Sequence, residues 1–363
     1  MRAMIMAAGL GTRLRPLTGL VSKPMVPVAN RPVLEHILHL VRRYGIRDVI
    51  INLHYFPHAI TSHLGDGSGM DMNIEYSFEE ELLGTAGGVK NNERFLGEDT
   101  FLVMSGDALT DVDLEALIST HRRTGAIATL ALKEVEDPSH YGVVVLDDSG
   151  RVTGFQEKPP REQALSRLCN SGIYVFEPEI FQHIPAESFY DFGNQVLPGL
   201  LEDDLPFYAH VIPTFWSDIG SLTEYKQGNF HALDQDVGLH TSGVERDGVA
   251  LGARTYVDPS VKIVPPVMIG KDCWVEEDVV LRGPLVVGDN CVLDRGCLLE
   301  RTIVWSAVYV GRGSCLTDSV VARTSRVGDQ AVLTGSVVGE RVCIADGATL
   351  ENKHIQPRED VGA

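Results

Sequence analysis

Val287-Gly288-Asp289-Asn290-Cys291-Val292-Leu293-Asp294-Arg295-Gly296-Cys297-Leu298-Leu299 carries an aliphatic residue at every sixth position, with polar or small residues concentrated between. The spacing continues in both directions. Triplets Leu251/Val257/Ile263, Ile269/Val275/Leu281, Val287/Leu293/Leu299, Val304/Val310/Leu316, Val321/Val327/Leu333 and Val338/Ile344/Leu350 start 18, 18, 17, 17 and 17 residues apart. Gly follows Leu251, Ile269, Val287, Val310, Val327 and Val338. A six-residue period assigns one side of a triangular coil to each hexapeptide, so three hexapeptides close one coil of a parallel β-helix, with about six coils in all. Cys273 and Cys291 lie one coil apart at the same offset and are expected to stack as packing residues.

Ahead of this array the pattern differs. Over the first 230 residues short aliphatic runs alternate with stretches of helical period, as in a sheet covered by helices. Strands are expected at Arg2–Met6, Asp48–Leu53, Phe101–Ser105, Ala126–Leu132, Val143–Leu146, Ile173–Phe176 and Phe207–Ile212. Helices are expected at Pro32–Tyr44, with Leu34, Ile37, Leu38 and Val41 on one face and Gly45 as its stop, and at Val112–Thr124, with Asp111 able to cap it. The resulting division is residues 1–235, a linker 236–250, a β-helix 251–355 and a tail 356–363.

Composition excludes several classes. The chain has 363 residues, 44% hydrophobic, with mean hydropathy near zero, which opposes disorder, collagen and a bundle of membrane spans. Lys plus Arg number 31 against 50 Asp plus Glu, and a net charge of −19 opposes a nucleic-acid partner. Six cysteines without a C-x-x-C pair fit neither a disulfide framework nor a zinc site, and Met1–Leu10 leads into Gly9, Gly11, Arg13 and Arg15 without a cleavage site. A cytoplasmic protein with reduced thiols and no membrane partner is expected.

The first strand runs into Gly9-Leu10-Gly11-Thr12-Arg13-Leu14-Arg15-Pro16-Leu17-Thr18 and then Lys23-Pro24. Two glycines there let backbone N–H groups approach a phosphate, and Arg13 and Lys23 supply fixed charge. A dinucleotide fingerprint would need glycine where Leu14 stands, and the G-x-x-x-x-G-K pattern is missing. With Gly84-Thr85-Ala86-Gly87, Ser105-Gly106-Asp107, Tyr141-Gly142-Val143, Phe155-Gln156-Glu157-Lys158-Pro159, Asn170-Ser171-Gly172-Ile173-Tyr174 and Trp216-Ser217-Asp218-Ile219-Gly220 following in order, the chain resembles the sugar-1-phosphate nucleotidylyltransferases. It looks most like the bacterial mannose-1-phosphate guanylyltransferases, and somewhat less like a cyanobacterial type of UDP-glucose pyrophosphorylase.

The resemblance implies an α/β fold: a Rossmann-like, glycosyltransferase-A-like nucleotidyltransferase domain followed by a left-handed parallel β-helix. It implies an enzyme in which a sugar-1-phosphate oxygen attacks the α-phosphorus of an NTP and pyrophosphate leaves, with Asp107 and Asp218 as ligands of Mg²⁺. Arg13 and Lys23 would meet the triphosphate and Lys158 the sugar phosphate, these five residues forming the catalytic set. Glu157 and Asn170, with backbone at Gly142 and Gly172, would hold sugar hydroxyls. Ala8, Gly9, Gly11, Thr12, Gly84, Thr85, Gly106 and Asp107 complete the nucleotide side, where the Glu79 carboxylate is suited to accept from guanine N1–H and N2–H₂.

GTP with mannose-1-phosphate is the leading substrate pair, in a homo-oligomer. UTP or dTTP with glucose-1-phosphate stays open, because Ala7-Ala8-Gly9 stands where many relatives have Ala-Gly-Gly, and Ala8 adds a methyl beside the nucleotide. A non-catalytic nucleotide-sugar-binding subunit would be expected to have lost charge at Arg13, Lys23, Asp107, Lys158 or Asp218, and all are present. An acyltransferase tail would use a His base, but after residue 241 only His354 occurs, beyond the last triplet. Trp305 and Tyr309 read as packing or oligomer contacts.

Overall fold

The computed structural model describes residues 1–233, 239 and 244–362, so parts of the expected linker 236–250, and Ala363 of the tail, lie outside the described residues. The chain folds as two compact units. Met1–Leu10 with Leu34–Asp218 forms one, and Gly11–Val33 joins the chain from Ile219 onward in the other.

The first unit is a mixed nine-stranded sheet. Its main path runs Val152–Glu157, Gly142–Leu146, Leu168–Phe176, Phe101–Ser105, Ala3–Met6, Asp48–Leu53, Asn73–Phe78. Ala128–Glu134 pairs with Leu168–Phe176 and carries Phe207–Val211 beside it. The central strands Ala3–Met6, Asp48–Leu53 and Phe101–Ser105 are almost wholly buried and mutually parallel, as sheets covered on both faces require. Val33–Arg43 buries Leu34, Ile37, Leu38 and Val41, and the left-handed Gly45 ends it. The second expected helix starts later than the sequence suggested, at Leu114, because the Asp113 carboxylate accepts from Ala116 N–H at 3.1 Å; Asp113, not Asp111, is the cap.

In the second unit three parallel ladders of short strands stack into a left-handed β-helix. The register is that of the triplets: Val287 pairs with Val304, Leu293 with Val310, Leu299 with Leu316. Triplet positions from Ile269 onward are buried in one core, and Leu251, Val257 and Ile263 of the first coil pack partly buried against it. Each buried aliphatic contributes roughly 1.5–3 kcal/mol. Spacing falls from 18 to 17 at the third corner, where Gly283-Pro284 gives way to the left-handed Arg301. There, buried hydroxyls satisfy corner amides of the next coil: Ser319 N–H meets Thr302 Oγ1, Ser336 N–H meets Ser319 Oγ and Lys353 N–H meets Ser336 Oγ. The array opens with an antiparallel hairpin of Val244–Arg246 and Val249–Leu251, and Ile355 and Val361 extend it past the sixth triplet.

Cys273 and Cys291 lie in that core and donate to the carbonyls of Gly288 and Trp305. All six thiols are free; burial pushes Cys169 and Cys297 up to about 12, in keeping with packing roles, whereas Cys343, against the expectation for all six, is exposed. No helix among the described residues is long and apolar enough to cross a membrane.

Candidate active site

Parallel strands present their carboxyl ends together, and in the first unit those ends carry the expected residues: Ala8 and Gly9 after Ala3–Met6, Glu79 after Asn73–Phe78, Gly106 and Asp107 after Phe101–Ser105. A buried chain of hydrogen bonds joins three of these strands. Ala7 N–H donates to Asn52 Oδ1 (2.8 Å), Asn52 Nδ2 donates to Glu79 Oε1 (2.7 Å), and Leu83 N–H donates to Glu79 Oε2 (3.1 Å). Glu79 is 6% exposed, and a Cβ on Gly88 would sit 2.8 Å from its Oε1. Both carboxylate oxygens therefore already accept from the chain.

The Gly84-Thr85 turn is held from an unexpected direction. Thr85 N–H and Oγ1 both donate to Asp191 Oδ1 at 3.0 Å, Thr85 Oγ1 accepts from Phe192 N–H, and Tyr190 O accepts from Ala86 and Gly87. Gly84 has φ +75°, and a Cβ there would come within 2.6 Å of Tyr190 O, so only glycine fits.

Asp107 and Asp218 flank a small ladder: Trp216–Ser217 pairs antiparallel with Leu109–Thr110, Ser217 opposite Leu109, so Asp218 follows one strand and Asp107 precedes the other at the same end of the pair. Ser105 Oγ donates to Asp107 Oδ1 (2.5 Å), and Tyr141 OH to Asp218 Oδ1 (3.2 Å). Ile219, immediately after Asp218, holds φ +46°, a strained conformation for a β-branched residue of the kind that clusters at functional sites.

Tyr141 also reaches the residues expected on the sugar side, because its carbonyl accepts from Lys158 N–H (3.1 Å). Glu157 pairs with Gly142 across the edge of the sheet and holds Lys158 Nζ at 2.9 Å, while Lys158 itself sits at φ +44°. Asn170 Oδ1 accepts from Gly172 N–H, its Nδ2 donates to Tyr174 OH, and a Cβ on Gly172 would lie 3.0 Å from Ser105 Cβ. Gly142, Glu157, Lys158, Asn170 and Gly172 thus share the sheet end that carries Asp107.

The remaining expected residues, Gly11, Thr12, Arg13 and Lys23, belong to the second unit. Gly11 is left-handed, Thr18 Oγ1 donates to its carbonyl (2.7 Å), and a Cβ on Gly11 would meet Lys23 Cβ at 2.8 Å. Leu14, Pro16 and Leu17 are buried beneath the loop, which leaves Thr12 and Arg13 exposed, whereas Lys23 is 8% exposed.

Sequence reasoning assigned no role to Asn52, Ser105, Tyr141 or Asp191. Ser105 and Tyr141 stood inside recognised motifs, and Asn52 is the one polar residue among the buried positions of Asp48–Leu53, itself a signal. Asp191 carries no local sign.

The nucleotidyl transferase family model matches residues 2–235, and the GMPPB C-terminal domain model matches residues 263–363. The chain belongs to the sugar-1-phosphate nucleotidyltransferase family. This nucleotidyltransferase is 40% identical over 307 residues to a UTP–glucose-1-phosphate uridylyltransferase of Synechocystis, covering 75% of this chain and 79% of that one. It is 39% identical over 231 residues to a mannose-1-phosphate guanylyltransferase of Mycobacterium tuberculosis (62% and 63% covered), and 35% identical over 324 residues to a mannose-1-phosphate guanyltransferase of Aspergillus oryzae (85% and 84%). A Bacillus anthracis structure described as a glucose-1-phosphate thymidylyltransferase superposes with TM-score 0.60 over 66% of this chain and 98% of that one, at 23% identity, which shows a common fold.

The family's substrates are a nucleoside triphosphate and a sugar-1-phosphate, and its enzymes generally use a divalent metal. The expected donor set, Asp107 and Asp218 at the same end of the short ladder, fits such an ion in being all-oxygen. Among the described residues no group of three or more His, Cys, Asp or Glu gathers for a metal, and a hard cation that takes one or two carboxylates plus phosphate oxygens needs no such cage.

Proposed function

We propose that this nucleotidyltransferase makes GDP-mannose and pyrophosphate from GTP and mannose-1-phosphate. The observation that carries the reaction is the short ladder that Asp107 precedes and Asp218 follows at one end, with Asp218 tied through Tyr141 to Lys158. The match of residues 263–363 to the GMPPB C-terminal domain supports the choice of GTP and mannose. Lys158, oriented by Glu157, holds the sugar phosphate, while Asn170 and the backbone at Gly142 and Gly172 meet sugar hydroxyls. The sugar-phosphate oxygen attacks the α-phosphorus as the bond to the β-phosphate oxygen breaks, and the electron pair leaves with pyrophosphate, whose charge Arg13 and Lys23 offset. Mg²⁺ held by Asp107 and Asp218 would supply Lewis-acid charge at the phosphoryl oxygens. No covalent nucleophile is needed, because positioning and charge neutralisation carry phosphoryl transfer.

On the base side Ala8, Gly9, Gly11, Thr12, Gly84, Thr85 and Gly106 supply backbone and close approach. Glu79, buried and tied to Asn52 and Leu83, shapes this side by joining the strand ends. A cytoplasmic homo-oligomer completes the proposal. The neighbouring rings of Tyr256 and Trp274, 40% and 49% exposed on one face of the β-helix, support association between copies.

The Synechocystis relative and Ala8 favour a second reading, UTP with glucose-1-phosphate. Pyrophosphate release with Mg²⁺, crossing GTP, UTP, dTTP, ATP and CTP against both sugar phosphates, separates them. Turnover with GTP and mannose-1-phosphate supports the first, and turnover confined to UTP or dTTP with glucose-1-phosphate replaces it.

A further inference from the structure

Five of the six coils place a glycine or alanine directly after the first aliphatic of the triplet: Gly252, Gly270, Gly288, Ala322 and Gly339. The fourth coil has Trp305 there. It is 4% exposed, and its indole N–H donates to Tyr225 OH at 2.7 Å. Tyr225, fully buried on the helix Leu222–His231, donates in turn to the carbonyl of Pro27 at 2.8 Å. Pro27 belongs to the hairpin Pro27–Val28/Arg31–Pro32, four residues beyond Lys23.

Two further ties of this hairpin within the unit lead the same way. Its turn residues Ala29 and Asn30 are both left-handed, a strained state for alanine that surrounding contacts must hold. Ala29 N–H donates to Asn229 Oδ1 (3.0 Å), and Asn30 Nδ2 donates to Val287 O (2.8 Å), one coil before Trp305. The helix that carries Tyr225 and Asn229 is fixed to the array by Lys226 Nζ on Asp318 O (3.1 Å) and by the Arg301 guanidinium over Phe230. At the other end of the loop Gly19 packs against Pro357, where a Cβ would come within 2.6 Å. The segment bearing Arg13 and Lys23 is thus clamped to the β-helix on both sides of Lys23.

We infer that Trp305 and Tyr225 are positioning residues for the triphosphate: the β-helix, through this relay, fixes the loop that presents Arg13 and Lys23 to the nucleotide. The inference rests on the role proposed above for those two cations. A tryptophan at a small-residue position would otherwise cost the repeat its regularity for no gain.

The test uses the full chain with Tyr225→Phe, which keeps the ring and removes both hydrogen bonds, and with Trp305→Phe, which removes one. Amide hydrogen exchange over residues 11–33 and KM for each substrate are measured. We expect exchange in 11–33 to accelerate while strands Ala3–Met6 and Phe101–Ser105 stay protected. KM for the NTP should rise roughly fivefold to fiftyfold, about 1–2.4 kcal/mol at 1.4 kcal/mol per factor of ten, more for Tyr225→Phe because it removes two buried hydrogen bonds, with the sugar-phosphate KM within about twofold. Unchanged exchange with unchanged KM overturns the inference, as does a parallel rise of both KM values with exchange faster everywhere. Should the wild-type chain turn over no NTP and sugar-phosphate pair, the role of Arg13 and Lys23 falls; the anchoring itself then stands if exchange in 11–33 is faster in the variants and falls if it is not.

Discussion

Asp107 and Asp218 each keep one oxygen on a hydroxyl, Ser105 Oγ and Tyr141 OH. Replacing either by Asn preserves shape and removes the charge a hard cation needs, so Asp107→Asn and Asp218→Asn should lower kcat by at least about a hundredfold with unchanged circular dichroism and melting. Full activity in either variant would remove it from the metal site. Glu79→Gln is subtler. Glutamine offers one acceptor where Asn52 Nδ2–H and Leu83 N–H both need one, and turning Asn52 over would strand the Ala7 N–H. Stability should fall by about 1–3 kcal/mol in a denaturant titration, with all nucleotides affected alike. A switch in base preference would instead make Glu79 a reader of the base. The candidate site residues could be named from the sequence because each stands in a short motif with a chemical reason for its type. Their partners could not, since Asn52 and Asp191 reach the site from 27 residues before Glu79 and 106 after Thr85, and sequence alone does not show which distant polar groups meet.

At the scale of elements, legibility followed burial. Asp48–Leu53 and Phe101–Ser105 were readable to the residue because central parallel strands are continuous apolar runs. Asn73–Phe78 and Val152–Glu157 were missed, and they are the two ends of the main path of the sheet, where exposed positions interrupt the run and Gly154 breaks it further. The β-helix was clearer still, for a hexapeptide rule leaves one constrained position per side and repeats it coil after coil. Hidden within it is the hydroxyl ladder at the third corner. Ser319 Oγ accepts from Ser336 N–H and donates to Thr317 O, both buried or partly so. Ser319→Ala should cost about 1–3 kcal/mol by leaving that amide unpaired, whereas Ser149→Ala, on an exposed turn of the sheet unit, should cost under about 0.5 kcal/mol. Equal costs in paired denaturant titrations would refute the ladder's role.

Over the whole molecule, the sequence pattern divides the chain near residue 235, but the compact units do not follow that cut, because Gly11–Val33 groups with the β-helix. The two descriptions predict different behaviour for a chain ending at 235. If the first 235 residues were self-sufficient, such a chain would bind and turn over nucleotide as the full protein does. By the contacts, it lacks Val287, Trp305, Asp318 and Pro357, so the loop loses Asn30 on Val287, Tyr225 loses Trp305, and Gly19 loses Pro357. Its KM for the NTP should rise by at least about tenfold, one factor of ten for each 1.4 kcal/mol lost, while the central strands keep their exchange protection. Removing only residues 340–363 is the sharper comparison. In an array where each coil meets only its neighbours, this takes Pro357 but spares the coils that hold Val287 and Trp305, so nucleotide affinity should fall less than in the 235-residue chain. Equal losses in the two truncations would mean that the coils act as one block rather than through the hairpin they touch.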